Sequence, residues 1–422
     1  MSKLEKAREL IDFCKENVDF YKKSLKKINV NEIKTYNDLQ KLPFTTKDDV
    51  KRTFPYGFLG APLSDIVEYS ESSGTSSNDF NRSSRMASFS TQKDIERDIE
   101  RRVSGDLRFT ETDIIFNALP YALTTSGHHF QMAAQKASAM VISADNGSLL
   151  SNYRKQLDLI RRLNPTIIIT SYPFVYSTLM IMLGISSEEL TNLRAVQLCG
   201  MSTSQNGKKK ISKLFNSVPV FDTYGMSEFG AIAATCHCGN NHVCDDFIVE
   251  VINPRTLEPL DENTGGEIVI TSLSRQGSPK IRYRTGDVGK IKRSNCPCGR
   301  IQDIIEITGR LKDIIIIEDK RFTLNDFENV FYQHATSTGM YVYEKDGNSG
   351  KITIDCMNGD LPQTAKEIKM MIFEALQVKI EVECVSVGLA RKDFFQQNNS
   401  NSLKSLQSVG DGEGEQEWLV TY

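Results

Sequence analysis

Residues 72–77, Ser-Ser-Gly-Thr-Ser-Ser, gather hydroxyls around one glycine, with no apolar residue between Tyr69 and Phe80. Gly74 permits close backbone approach, and Ser72, Ser73, Thr75, Ser76 and Ser77 can join backbone N–H groups around phosphate oxygens. The Gly-Lys-Ser/Thr ending of a Walker loop is missing, so the stretch is either a phosphate loop of another kind or a solvated turn. Three further segments add chemistry suited to a nucleotide. In Asp222-Thr-Tyr-Gly-Met-Ser-Glu228, Tyr224 can stack on a base and the Glu228 carboxylate suits Mg2+. In Tyr283-Arg-Thr-Gly-Asp287 a short acid follows a glycine, where it can accept hydrogen bonds from ribose hydroxyls. Thr308-Gly-Arg-Leu-Lys-Asp313 sets Arg310 beside a glycine at a domain border.

The cysteines give a second signal. Two Cys-x-Cys pairs beside glycine, at 236–239 and 296–299, offer Cys236, Cys238, Cys296 and Cys298, with His242 close by. Zinc takes four such ligands in a tetrahedron, and four protein ligands would make the ion structural. His128 and His129 follow a strand-like run and either line a substrate pocket or pack as satisfied histidines.

Elements must hold these groups in place. Leu4, Ala7, Leu10, Ile11 and Cys14 recur at helical spacing, and Thr35 or Asn37 can cap a second short helix. Residues 90–106 read as a helix laced with charge pairs three and four apart, packing behind the hydroxyl-rich loop. Short β-branched runs at 113–120, 138–144, 165–171, 194–200 and 219–225, spaced by helix-length segments, predict βαβ units and a parallel sheet. From residue 247 two strand-like segments flank a Pro, Asp, Asn and Gly-rich turn, an antiparallel pattern. After Asp313 come a helix-like run at 324–333, strands around 344–350, a helix at 362–377 and a strand at 379–386, an α+β unit of about a hundred residues.

Composition narrows the class. With 422 residues the chain exceeds a single core, and its 39% hydrophobic and 25% charged content is that of a folded polar-surfaced protein. A net charge of -3 provides no field for nucleic acid, and the lysines of 207–213 read as a solvated helix face. No apolar run approaches a membrane span, and the N-terminal stretch lacks an apolar signal core, so a cytoplasmic chain is expected, its nine cysteines thiols or metal ligands rather than disulfides.

At these motifs the chain resembles the adenylate-forming superfamily of acyl-CoA synthetases, adenylation domains and luciferases, and within it the phenylacetate-CoA ligase-like branch. The branch features are Phe-Tyr-Lys-Lys-Ser-Leu at 20–25, the run 42–58 before the phosphate loop, and the stretch from Asp222 through Asp287. The resemblance implies an α/β large N-terminal domain with layered parallel sheets and a small antiparallel β subdomain, 1–312. A small, mobile α+β C-terminal domain, 313–422, would turn about Asp313. It places Ser72, Ser73, Gly74, Thr75, Ser76 and Ser77 on the ATP phosphates. Gly200, Asp222, Tyr224, Gly225, Met226 and Ser227 would border the nucleotide, Glu228 hold Mg2+, Asp287 the ribose and Arg310 the nucleotide. Lys404 aligns with a late catalytic lysine, with Lys392 as the alternative, and Thr75 and Glu228 join it in catalysis. Family loops usually continue with Thr, Gly and Lys where this chain has Ser77, Asn78 and Asp79, and its Gly200-Met-Ser-Thr203 replaces Gly-Ala-Glu-Pro. Among the cysteines the branch uses Cys236, His242, Cys296 and Cys298 for structural Zn2+.

The implied activity joins a carboxylic acid, aryl or arylacetic, to AMP with release of pyrophosphate, then transfers the acyl group to a thiol, coenzyme A first among candidates. A carrier-protein thiol or an amine as acceptor, and a non-catalytic nucleotide-binding relative, stay as alternatives. No nucleic acid or membrane partner is expected; a homodimer stays open.

Overall fold

A computed structural model describes residues 1–71, 86–148, 150–346, 349–357, 359–392 and 418–419. Within these residues the chain forms two compact units, 1–112 with 120–141 and 221–307, and 113–119 with 142–220 and 308–422. The second unit groups 113–119 and 142–220 with the described residues from 308 onward.

The first unit opens with the helix Lys3–Asn17, whose Ala7, Leu10, Ile11 and Cys14 are buried at the expected spacing. Thr35 caps Tyr36–Leu39 through a reciprocal capping box with Asp38. These helices lie in one apolar cluster with the antiparallel strands Phe247–Ile252, Gly266–Ser272 and Tyr283–Lys292. The predicted hairpin pattern forms, with Phe247 opposite Ser272 and Ile252 opposite Glu267. Strands Gly230–Thr235 and Asn241–Val243 pair antiparallel, and Val220–Met226 turns back on the first of them. A separate antiparallel pair, Ile66–Glu71 with Ala87–Thr91, flanks the hydroxyl-rich segment.

The charge-laced helix Gln92–Arg102 forms as expected, and its Asp94, Asp98, Arg101 and Arg102 are all buried. They are paid for by specific partners: Asp94 accepts from the backbone N–H groups of Gln276 (2.9 Å) and Gly277 (2.8 Å), and Arg101 donates to Asp246 (2.9 Å) and Ala231 O (2.8 Å).

In the second unit, Ile114–Ala118, Ile167–Thr170 and Ala195–Cys199 form the predicted parallel strands, with Met140–Ser143 beside the first. Their side chains are fully buried on both faces in the two later strands, as helix-covered parallel sheets require. The C-terminal strands Ser337–Asp346, Ser349–Cys356 and Glu381–Ser386 add an antiparallel and a parallel pair, backed by Leu361–Leu376. A hairpin, Ile315–Ile317 with Lys320–Phe322, precedes the helix Leu324–Phe331. The lysines of 207–213 are not a wholly solvated face: on Gln205–Leu214, Lys208 and Lys210 are buried, and Lys210 donates to His334 O at 2.7 Å. Among the described residues no helix is long and apolar enough to cross a membrane.

Candidate active site

The site is built on two irregular strands of the first unit. Pairing of Gly266–Ser272 with Tyr283–Lys292 matches Val269 to Arg284 but Glu267 to Val288, so residues 285–287 bulge out of register. Gly286 occupies the bulge at φ +72°, a left-handed conformation that disfavours any side chain. Thr285 closes the bend by donating to Ile268 O (2.8 Å) and accepting from the Asp287 N–H (3.0 Å). Glu267 holds it from the other side, accepting from Gly286 N–H (3.2 Å) and from Arg284 (2.6 Å). The outcome is a fixed, nearly buried Asp287 carboxylate.

A second irregularity lies between Tyr224 and Gly225, opposite Ala233 and Ala231. It brings the Tyr224 hydroxyl to Asp287, where it donates to Oδ2 at 2.8 Å. Burial, together with the Asp287 charge, holds this phenol well above its ordinary pKa, so it remains a donor. Four residues on, Glu228 is buried and accepts from the Tyr283 hydroxyl at 2.9 Å. Burial and the Glu228 charge likewise raise the Tyr283 pKa. Tyr224, Glu228 and Asp287, predicted to converge, therefore share one acidic, tyrosine-lined corner. Asp222, at the start of the same strand, exchanges hydrogen bonds with Thr235 through its backbone (2.9 and 2.8 Å). Gly225, Met226 and Ser227 lie between Tyr224 and Glu228 and are half-buried.

The motif at 42–58 braces this corner. Thr45 inserts beside Tyr283 as a parallel bridge, accepting from Arg284 N–H (2.9 Å) and donating to Arg282 O (3.0 Å). Arg282 is buried against Glu250 at 3.0 Å, and its guanidinium covers the Phe44 ring at 4.0 Å. Sequence reading had named Asp287 but missed Tyr283, Arg282 and Glu250; the signal for the first two was their place in the same Arg-Tyr-Arg-Thr-Gly-Asp run.

Four predicted metal ligands also meet in the first unit. The donor atoms of Cys236, His242, Cys296 and Cys298 all lie within 4.8 Å of one another. Cys236 and Cys296 sulfurs are 3.7 Å apart, and Cys298 Sγ is 3.3 Å from His242 Nε2. Ligand edges of a zinc tetrahedron are about 3.8 Å for S–S and about 3.6 Å for S–N, so the donor set fits zinc. His242 Nδ1 meets Gln302 O at 3.0 Å, which assigns the proton there and leaves Nε2 free to ligate. Cys238 is exposed and is not among these four.

Gly200 and Arg310 belong to the second unit. Gly200 turns at φ +92° directly after Ala195–Cys199, and the exposed Arg310 ends the strand Ile304–Arg310. Asp313 closes the short turn Leu311–Asp313, its carboxyl raised in pKa by burial. Lys392 is exposed. Ser72, Ser73, Gly74, Thr75, Ser76, Ser77 and Lys404 lie outside the described residues. His129 is a buried, satisfied histidine with a carboxylate at each ring nitrogen, and His128 is exposed against Tyr121.

Known proteins place this geometry. The profile of the family described as AMP-binding enzyme matches residues 89–274. A phenylacetate-coenzyme A ligase of Aromatoleum evansii is 27% identical over 370 residues, 83% of this chain and 80% of that protein. The enzyme of that name from Escherichia coli K12 is 27% identical over 72% of this chain and 69% of its own length. A fumarate–(S)-2,3-diaminopropanoate ligase of Enterobacter agglomerans is 24% identical over 39% of this chain and 41% of its own. Among solved structures, 2-hydroxyisobutyryl-CoA ligase in complex with 2-HIB-AMP superposes with a TM-score of 0.80 at 17% identity, covering 94% of this chain and 92% of that one. The chain is thus similar to AMP-binding enzymes over residues 89–274 and to phenylacetate-coenzyme A ligases over most of its length, and it shares the fold of the solved 2-hydroxyisobutyryl-CoA ligase.

Proposed function

We propose that the protein activates an aryl or arylacetic acid with ATP and passes the acyl group to coenzyme A. One carboxylate oxygen of the acid attacks the α-phosphorus, the bond to pyrophosphate breaks, and acyl-AMP forms; the coenzyme A thiolate then attacks the acyl carbonyl and AMP leaves. The observation that carries this reading is the hydrogen-bonded Tyr224–Asp287 pair in the same corner as the buried Glu228.

In this reading Asp287 accepts from the ribose hydroxyls, and the Tyr224 ring borders the adenine with Asp222. Glu228, a hard oxygen donor held by Tyr283, is the residue to hold Mg2+, which when bound neutralises phosphate charge. The chain's own contribution is alignment: a rigid corner holds the nucleotide so that the attacking oxygen meets the phosphorus in line. Thr75, Ser76, Arg310 and Lys404 keep the phosphate, nucleotide and catalytic roles that the resemblance implies, and Asp313 the hinge. Cys236, His242, Cys296 and Cys298 would hold a structural Zn2+, supported by their spacing.

Pyrophosphate exchange into ATP over a panel of aromatic, aliphatic and amino acids tests the first step, and mass detection of the coenzyme A thioester tests the second. Exchange with aromatic acids and thioester formation are expected; no exchange with any acid overturns the reading. The match to a ligase named for an amine acceptor favours one second reading, amide formation, which the same assay detects when amines replace coenzyme A.

A further inference from the structure

His129 is buried, with a side chain only 2% exposed, yet it meets two carboxylates. Its Nδ1 is hydrogen-bonded to Asp98 and its Nε2 lies 3.0 Å from Glu68 Oε1. A neutral imidazole carries one N–H, so in either tautomer a nitrogen lone pair would point at a carboxylate oxygen; only the protonated ring satisfies both contacts. Burial pulls the imidazole pKa down, but hydrogen bonds and charge from Asp98 and Glu68 outweigh it and leave the pKa raised. Asp98, held well below the usual carboxylate range against its own burial, is ionised beside Arg102 (2.9 Å) and Arg101 (3.6 Å).

The two carboxylates belong to different parts of the first unit. Glu68 lies on Ile66–Glu71, where it also accepts from Ser90 (3.2 Å) and feels the buried Arg275. Asp98 faces the turn that follows Glu228: its Oδ1 accepts from Ala231 N–H at 2.5 Å. Gly230, at φ +73°, is pressed so closely against it that an added Cβ would sit 2.2 Å from Oδ1. The groups facing His129 are thus Glu68 from the strand, and Asp98 and Arg102 from Gln92–Arg102, with Arg101 acting through Asp98 and Arg275 through Glu68.

We infer that His129 is a positioning residue for Glu228: as an imidazolium it binds Asp98 and Glu68 together, fixing the strand Ile66–Glu71 and the Gly230 turn in one frame. This deepens the adenylating role proposed for Glu228 and rests on it. Loss of the proton turns one carboxylate contact repulsive, releases the turn and weakens MgATP binding, so the apparent KM for MgATP rises with pH, while at saturating MgATP, with Glu228 held by the bound ion, kcat changes little.

The test pairs a titration with kinetics on the full chain. NMR of the His129 ring is expected to give a midpoint above about 6.5, the ordinary value, and Glu68→Gln to lower it, because an amide can donate to a neutral Nε2. His129→Gln is expected to raise the KM for MgATP in pyrophosphate exchange by about 10-fold near pH 6.5 and abolish its rise with pH, with kcat within about 3-fold. That loss corresponds to one charge-assisted hydrogen bond. Glu68→Gln, which keeps the ring, should move the rise in KM to lower pH. A midpoint at or below 6.5, or an unchanged KM profile in both variants, overturns the inference. No exchange by the wild-type protein counts against the adenylating role instead, and the titration with its Glu68→Gln shift still decides whether the charged bridge exists.

Discussion

Among the described residues, the Tyr283 hydroxyl holds Glu228. Tyr283 is fully buried and its Oη donates to Glu228 Oε1 at 2.9 Å, so the phenol is the contact that fixes which way the carboxylate faces. Tyr283→Phe keeps the ring and its packing against Phe229 but leaves a buried charged acceptor short of a donor, a loss of about 1.5–3 kcal/mol. If Glu228 serves MgATP, that loss should appear as roughly a 10- to 100-fold lower kcat/KM for ATP, with the KM for the acid unchanged. Wild-type kinetics in Tyr283→Phe would remove Glu228 from the nucleotide site. The Thr45 bridge makes the experiment clean, because it holds the Tyr283 backbone through bonds the substitution does not touch.

At the scale of elements, the two bulges and the cysteine loops carry the argument. The turns at 236–239 and 296–299 each close through a backbone hydrogen bond from glycine N–H to the first cysteine's carbonyl, 2.9 and 3.0 Å. Arg300 ties the second turn to Asp106 at 2.6 Å. Zinc on four such ligands would cross-link segments about sixty residues apart, so purified protein should contain about one zinc per chain and a chelator should lower its Tm by more than about 5 °C. Cys298→Ser should lower Tm similarly and Cys238→Ser should not; equal effects would sink the ligand assignment. The elements behind these loops were legible where the information is local: caps, alternation and the glycine of the Arg-Thr-Gly-Asp bulge lie within a few residues of what they shape. The charges of Gln92–Arg102 were not, because an i, i+3 and i, i+4 pattern of Asp and Arg is the same on a wet face as on a buried one. Partners distant in sequence, His129, Ala231, Asp246 and Gln276, distinguish the two. Lys210 was misread for the same reason, its partner being the carbonyl of His334.

At the scale of the whole molecule, apolar residues between Ile315 and Cys384 share one cluster, within the second unit, with residues of 142–220. The Phe174 and Tyr332 rings lie 5.2 Å apart, and the Phe174 ring leaves no room for a side chain at Gly339, φ +104°. Apolar runs in a sequence do not say which partner covers them, and so this sharing was not legible. The polar seam is equally close: Asn206 bonds Asn329 through backbone and side chain (3.2 and 2.7 Å), and Glu328 accepts from Tyr341 (2.9 Å) and Ser204 N–H (3.3 Å). Burial pushes the Glu328 carboxyl up to about 7, against the opposing hydrogen bonds from Tyr341 and Ser204. Its folded pKa lies above the ordinary carboxylate value of about 4.3, so the native state binds more protons than the unfolded chain between those values, and stability falls as pH rises through that window. Above about pH 7 the cost of the buried charge is complete, of order 3–4 kcal/mol. Glu328→Gln retains an acceptor for Tyr341 without the charge. Its Tm should match the wild type near pH 4 and exceed it by several degrees at pH 8; a gap that does not widen with pH would show that Glu328 does not carry the seam's response to pH, and that the shared core alone sets how firmly residues 313–422 are held.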